Sequence, residues 1–175
     1  IVVSFGVLLV LMLVMAAISY TRLQNIDQEA FSLQRDSVPG LFLATSMRAA
    51  TRNSYAELER ALFVDSDAES IKEDLEHTAE NLRQLSKRST DYEASIFRDD
   101  DRERYRAFRA AADKYVALIN ESMELAHTSK PAAQAVAVRA VSLWKASTAL
   151  ADGLVADNHA RADESAQQIQ NAVRT

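Results

Sequence analysis

The chain has 175 residues, of which 48% are hydrophobic and 26% charged, and carries a formal net charge of −5. That balance excludes a disordered or fibrous chain, and the acidic excess argues against nucleic acid as a partner, because phosphate binding needs clustered Lys and Arg. The absence of cysteine excludes disulfides, thiolate metal sites and a cysteine nucleophile, while three glycines and two prolines leave long uninterrupted helices as the simplest reading.

Residues Ile1 to Ser19 form the charge-free run IVVSFGVLLVLMLVMAAIS. At about 1.5 Å per residue it is long enough to cross a hydrocarbon core of ~30 Å. Tyr20 and Arg22 follow where interfacial anchors are expected. The competing reading is a secretory signal sequence; the run exceeds a usual h-region and no A-x-A cleavage pattern follows it. The chain opens at Ile1 without flanking basic residues, so it reads as part of a longer protein, and the positive-inside rule sets no orientation.

Helical periodicity continues through Ile26, Ala30 and Leu33 to Pro39-Gly40, where a kink or short break is expected. Beyond it, spacings of four and three pick out Leu41, Thr45, Arg48, Arg52, Tyr55, Glu59 and Leu62 as an inward line. Its ends are leucine, its middle is charged. Buried guanidiniums need anions facing them, so this line is expected to form one wall of an anion pocket. A neighbouring stripe made mostly of small side chains, Leu43, Met47, Ala50, Ser54 and Ala61, is a candidate dimer contact or an ordinary exposed face.

The first turn is placed at the S-x-x-E capping box Ser66-Asp67-Ala68-Glu69. A second helix follows with Ile71, Leu75, Thr78, Leu82 and Leu85 inward, closing at Lys87-Arg88; the second connection falls somewhere between Ser89 and Asp101. The third helix carries Tyr105, Phe108, Ala112, Tyr115, Ile119, Ser122 and Ala126 inward and ends before Pro131. The fourth presents Val136, Ala140, Leu143, Ser147, Leu150 and Leu154, with Trp144 and Thr148 alongside, and runs on to Thr175. The expected fold is therefore all-α: residues 1–20 as an N-terminal transmembrane helix continuing into an antiparallel up-down-up-down four-helix bundle over residues 21–175, with helices near 21–64, 67–89, 99–127 and 131–175.

Counted back from the distal turns, Arg48 and Arg52 lie roughly 24 and 18 Å below the tip, and Arg109 and Tyr105 roughly 27 and 33 Å below it. Ser147 and Thr148 fall at the depth of Arg48, Thr78 somewhat higher, and Arg102 shares a stripe with Tyr105 and Arg109. Arg48, Arg52, Thr78, Arg102, Tyr105, Arg109 and Thr148 are thus the expected ligand-binding set. Guanidiniums grip carboxylates through paired hydrogen bonds, which suits a small acid with two or three carboxylates. The bland alternative is that each arginine is solvated or paired with an acid such as Glu59, Glu103 or Asp113. No nucleophile–base pairing or phosphate-cradling glycine loop is present, and His77, His127 and His159 show no metal-ligand spacing, so neither an enzyme, nor a cofactor, nor a metal site is expected.

An apolar span, a helical bundle, the V-P-G-L step at Val38-Pro39-Gly40-Leu41 and the T-R-N at Thr51-Arg52-Asn53 resemble bacterial methyl-accepting chemotaxis receptors, specifically their four-helix-bundle periplasmic sensor domains. In the aspartate and serine receptors of that family a first-helix arginine after threonine holds the ligand carboxylate, which corresponds here to Arg52. Those receptors carry further arginines five and nine residues on, where this chain has Glu57 and Ala61, a departure that argues against an amino-acid ligand. The set Arg48, Arg102, Tyr105 and Arg109 is more similar to the Comamonas-type receptors for tricarboxylic-acid-cycle carboxylates such as citrate and malate. The resemblance implies a homodimer or higher homo-oligomer in the bacterial inner membrane, its sensor part in the periplasm. It also implies a second span, a HAMP domain and a cytoplasmic signalling hairpin after Thr175. The rivals are the sensor region of a histidine kinase or cyclic-nucleotide enzyme, and a membrane-anchored helical scaffold with no small ligand.

Overall fold

The computed structural model describes residues 2–174, and the side chains of all of these except 2–5, 32, 35, 36 and 174. Among the described residues there is no strand. Helix α1 covers Val2–Ser32 and passes through a wider π turn, Leu33–Ser37, into α2, Val38–Glu59; a second π turn, Arg60–Val64, ends that limb. Helices α3 (Ala68–Ser95), α4 (Asp99–Ala126) and α5 (Lys130–Arg174) complete the chain.

The stretch Gly6–Phe31 of α1 is long and apolar enough to cross a membrane. Its large apolar side chains from Val7 to Ile18 are 47% to 69% exposed, so no protein surface covers them. A helix apolar on every side and left bare by the rest of its own chain fits a lipid surrounding. Beyond the span α1 turns polar and lies beside the far end of α5, where Asn25, Ile26 and Glu29 meet Gln168, Ile169 and Ala172.

Pro39 produces no break. It occupies the first turn of α2, with Ser37 still helical at φ −67° and ψ −44°. The π turn just ahead of it is the physical reason: Pro39 has no N–H to offer the carbonyl four residues earlier, and wider i→i+5 pairing satisfies that region instead. At the other end of α2, Asp65 adopts extended backbone and its N–H closes on Arg60 O at 2.9 Å. The cap of α3 is Asp67 rather than Ser66: Asp67 is the extended residue, and its carboxylate accepts from Ser70 N at 2.8 Å. Helix α3 also runs six residues past Ser89. Ser89 and Tyr92 extend the inward line of Leu82 and Leu85, and Tyr92 is among the largest buried side chains, so packing carries the helix through a stretch with turn chemistry.

Helices α2, α3, α4 and α5 form an up-down-up-down bundle. Helix α2 packs against α3 and α5, and α4 against α5; α3 and α4 stand further apart. Two apolar layers fill the centre. Leu43, Met47, Leu85, Tyr92, Tyr105, Phe108 and Leu154 form the membrane-side layer. Tyr55, Leu58, Leu62, Leu75, Leu82, Tyr115 and Ile119 form the distal one.

The buried face of α2 corrects the expected inward line. Leu43, Ala44, Met47, Ala50, Thr51, Ser54, Tyr55 and Leu58 point to the core, whereas Arg52 and Glu59 are exposed and Arg48 is half-buried at the edge. The small-residue stripe offered as a dimer contact is thus the core face itself. Successive helix positions differ by about 100°, so turning the helix by one residue hides methionine and alanine instead of two guanidiniums. Burying those without dedicated partners would cost several kcal/mol apiece, by order of magnitude.

Candidate functional site

The two α2 arginines meet one acid of α5. Arg48 Nη1 donates to Asp152 Oδ1 at 3.2 Å, and Arg52 Nη2 donates to both Asp152 oxygens at 3.3 and 3.1 Å. The side chains of Arg48, Arg52 and Asp152 are 32%, 50% and 42% exposed, so this seam between α2 and α5 opens to solvent. Two guanidiniums on one carboxylate leave one positive charge over. Thr148 lies one helical turn before Asp152, its Oγ1 buried and without a hydrogen-bond partner among the described residues. Ser147 Oγ and Trp144 Nε1 on the same helix are in the same condition. Trp144 stacks on Tyr55 across the seam, ring centroids 4.8 Å apart, and so holds α2 and α5 in register just above the arginines.

Three of the seven expected residues, Arg48, Arg52 and Thr148, therefore belong to one seam. The other four do not reach it. Arg109 lies in the groove between α3 and α4 and forms an ion pair with Asp113 at 2.9 Å. Partial burial pulls on its guanidinium, but Asp113 and the Tyr105 hydroxyl outweigh that and hold its pKa above the ordinary arginine value. Tyr105 is buried and donates to Ser89 O at 2.8 Å, tying α4 to α3; burial raises its phenol pKa. Arg102 Nη2 donates to Ile96 O at 3.1 Å and closes the α3–α4 turn. Thr78 is fully buried and returns its hydroxyl to Asp74 O of its own helix at 2.8 Å. Met47, Phe108, Ala112 and Ala151 of the membrane-side layer stand between the α3–α4 groove and the α2–α5 seam. Equal depth along the bundle is not convergence.

Two arrangements escaped sequence reasoning. One is Asp152 itself; its signal was an acid one turn from Thr148 at arginine depth. The other is a buried polar chain near the membrane-side end: Asn158 Nδ2 donates to Tyr92 Oη at 2.9 Å, and Tyr92 Oη donates to Asp101 Oδ1 at 2.9 Å. Burial drives the Tyr92 phenol far above its usual range, with Asp101 adding to the effect, so Tyr92 stays a donor. Beside it Arg161 Nη2 holds Asp100 Oδ2 at 2.7 Å. Partial desolvation works to raise the Asp100 pKa, but Arg161 and Arg98 together lower it. This chain links α3, α4 and α5 where they approach the membrane.

Residues 1–173 match a protein family described as a four helix bundle sensory module for signal transduction. No curated protein matches the chain significantly. With the apolar helix, the bundle and that match together, the chain belongs to the four-helix-bundle sensory modules of membrane-anchored receptors of the methyl-accepting chemotaxis class.

Proposed function

We propose that this module senses a small di- or tricarboxylate of the citrate or malate type, held at the α2–α5 seam. Residues 1–20 would lie in the bacterial inner membrane and residues 21–175 in the periplasm, in keeping with the receptor class and with the bare apolar helix. The observation that carries the ligand reading is the unequal charge of the seam: Arg48 and Arg52 share the single carboxylate of Asp152. Asp152 stands where a ligand carboxylate would sit, and the buried hydroxyl of Thr148 awaits an acceptor one turn away. An anion here would draw α2 and α5 together, and the output is the difference in its affinity between two arrangements of those helices.

The receptor works in this reading as a homodimer or higher homo-oligomer. Phe42, Ala49, Ala56 and Phe63 of the α2 limb recur every seven residues and all are exposed, the pattern of a coiled-coil seam. Arg102, Tyr105, Arg109 and Thr78 lie outside this seam.

Thermal melts of the chain in detergent micelles test the reading against citrate, malate and succinate, with acetate as control. Ligand at a hundredfold excess over its Kd adds about 2.7 kcal/mol of stability. The shift should vanish in Arg48→Ala and Arg52→Ala and grow in Asp152→Asn, which removes the internal competitor. No shift with any acid, or a shift that ignores both arginine substitutions, leaves a helical scaffold without a carboxylate site.

A further inference from the structure

The three histidines have no ligand spacing along the chain, yet folding assembles a mixed donor set at the distal end of the bundle. Glu57 of α2 faces Asp74 and His77 of α3, and one donor atom from each lies within 4.8 Å of the other two. Asp74 and His77 are three residues apart, so carboxylate and imidazole project from one face of α3. A carboxylate from a facing helix plus an acid–imidazole pair at this spacing is how helical bundles build metal sites. Asp65 lies beside Asp74 and brings a further carboxyl oxygen to the rim.

One cation already sits among these groups. Arg60 forms ion pairs with Glu57 and with Asp74 Oδ2, the latter at 3.2 Å. Two carboxylates thus share one guanidinium, and Asp74 is only 8% exposed, so its charge is poorly compensated by water. The Arg60 side chain is half exposed and projects from the π turn at the end of α2, with solvent beside it.

We propose that Glu57, Asp74 and His77 bind a divalent transition-metal ion, Zn2+ first, by displacing the Arg60 guanidinium, with Asp65 or water completing the shell. The imidazole selects against Mg2+ and Ca2+, which take oxygen donors. Donor atoms around such an ion stand about 3–4 Å apart, so modest side-chain rotations close the set. The bound ion would clamp α2 to α3 at the end of the bundle furthest from the membrane. It is independent of the carboxylate seam on α5.

Calorimetric titration of ZnCl2 into the chelator-treated chain in detergent micelles, with Co2+ absorption as a second readout, tests this. Expected is saturable one-to-one binding and visible Co2+ bands. His77→Ala should weaken binding at least tenfold, while His127→Ala and His159→Ala leave it unchanged. Arg60→Gln should tighten it several-fold by removing the competing cation, a direction that a purely structural ion-pair cluster would not produce. Binding that survives His77→Ala undiminished, or that is indifferent to Arg60→Gln, overturns the proposal, as does absence of saturable binding.

Discussion

Gly40→Ala isolates one close approach from everything else in the bundle. An ideal Cβ at position 40 would lie 2.3 Å from Asn158 Oδ1 and 3.1 Å from its Cγ. Asn158 is 1% exposed and cannot retreat, because its Nδ2 is committed to Tyr92 Oη at 2.9 Å and Leu154 O at 2.8 Å. Overpacking a filled interior costs about 1–3 kcal/mol, and breaking the Tyr92 bond adds about 1 kcal/mol. Alanine returns up to about 1 kcal/mol through its better helix propensity. The net is a loss of roughly 1–3 kcal/mol, or a fall in Tm of roughly 3–9 °C at this chain length. Far-UV circular dichroism melts of the chain in detergent micelles measure it. Combining Gly40→Ala with Asn158→Ala removes the clash, so the double variant should be more stable than the summed losses imply, by about 1 kcal/mol or more. A Gly40→Ala protein that melts at or above the parent, or strict additivity in the cycle, would refute the close-packed α2–α5 contact.

Other expectations follow from the same geometry. Tyr115→Phe deletes the buried hydroxyl pair with Ser54 at 2.8 Å and should cost about 1 kcal/mol, read as a Tm fall of roughly 2–4 °C; an unchanged melt would remove that bond from the account. Arg48→Ala and Arg52→Ala sit on partly exposed pairs worth about 0–1 kcal/mol, so their melts should stay near the parent while carboxylate binding is lost; a large drop in stability would make them structural. The cap Asp67 accepts from Ser70 N, which lowers its carboxyl pKa in the folded chain. A lowered folded pKa contributes stability above the unfolded value of about 3.9 and loses it as pH falls through the folded pKa. The stability difference between the parent and Asp67→Asn should therefore shrink as pH drops from about 5 to about 2.5; a constant difference would show that the cap does not titrate with folding.

Much of the architecture was legible because it rests on composition and period. The charge-free run, the Pro131 start of α5 and the four-three spacing of Tyr105, Phe108, Ala112, Tyr115 and Ile119 each have a direct physical meaning, and all of these α4 residues are buried. The rotation of α2 was not legible. Two adjacent stripes competed: one ended in Leu41 and Leu62 and shared Tyr55, while the other carried Thr51 and Ser54 in or beside it. Hydroxyls near the true core line made it read as surface, yet Thr51 satisfies itself on Met47 O at 2.9 Å and Ser54 finds Tyr115. Self-satisfied hydroxyls bury at little cost, so they do not mark an exposed face. Depth along the axis could be counted from the turns; angle around it could not, and that angle decided which arginines met.

The two limbs that reach toward the membrane are mechanically unequal. The outgoing one, α5, is an unbroken rod of 45 residues, about 67 Å at 1.5 Å per residue. The incoming one is interrupted by one wide turn of five residues, Leu33–Ser37, and closed by another, Arg60–Val64, and such a turn houses a surplus residue within an otherwise α-helical limb. A lengthwise pull on the incoming limb meets a joint at Leu33–Ser37, whereas the same pull on the rod meets none. One leg conveys and the other yields.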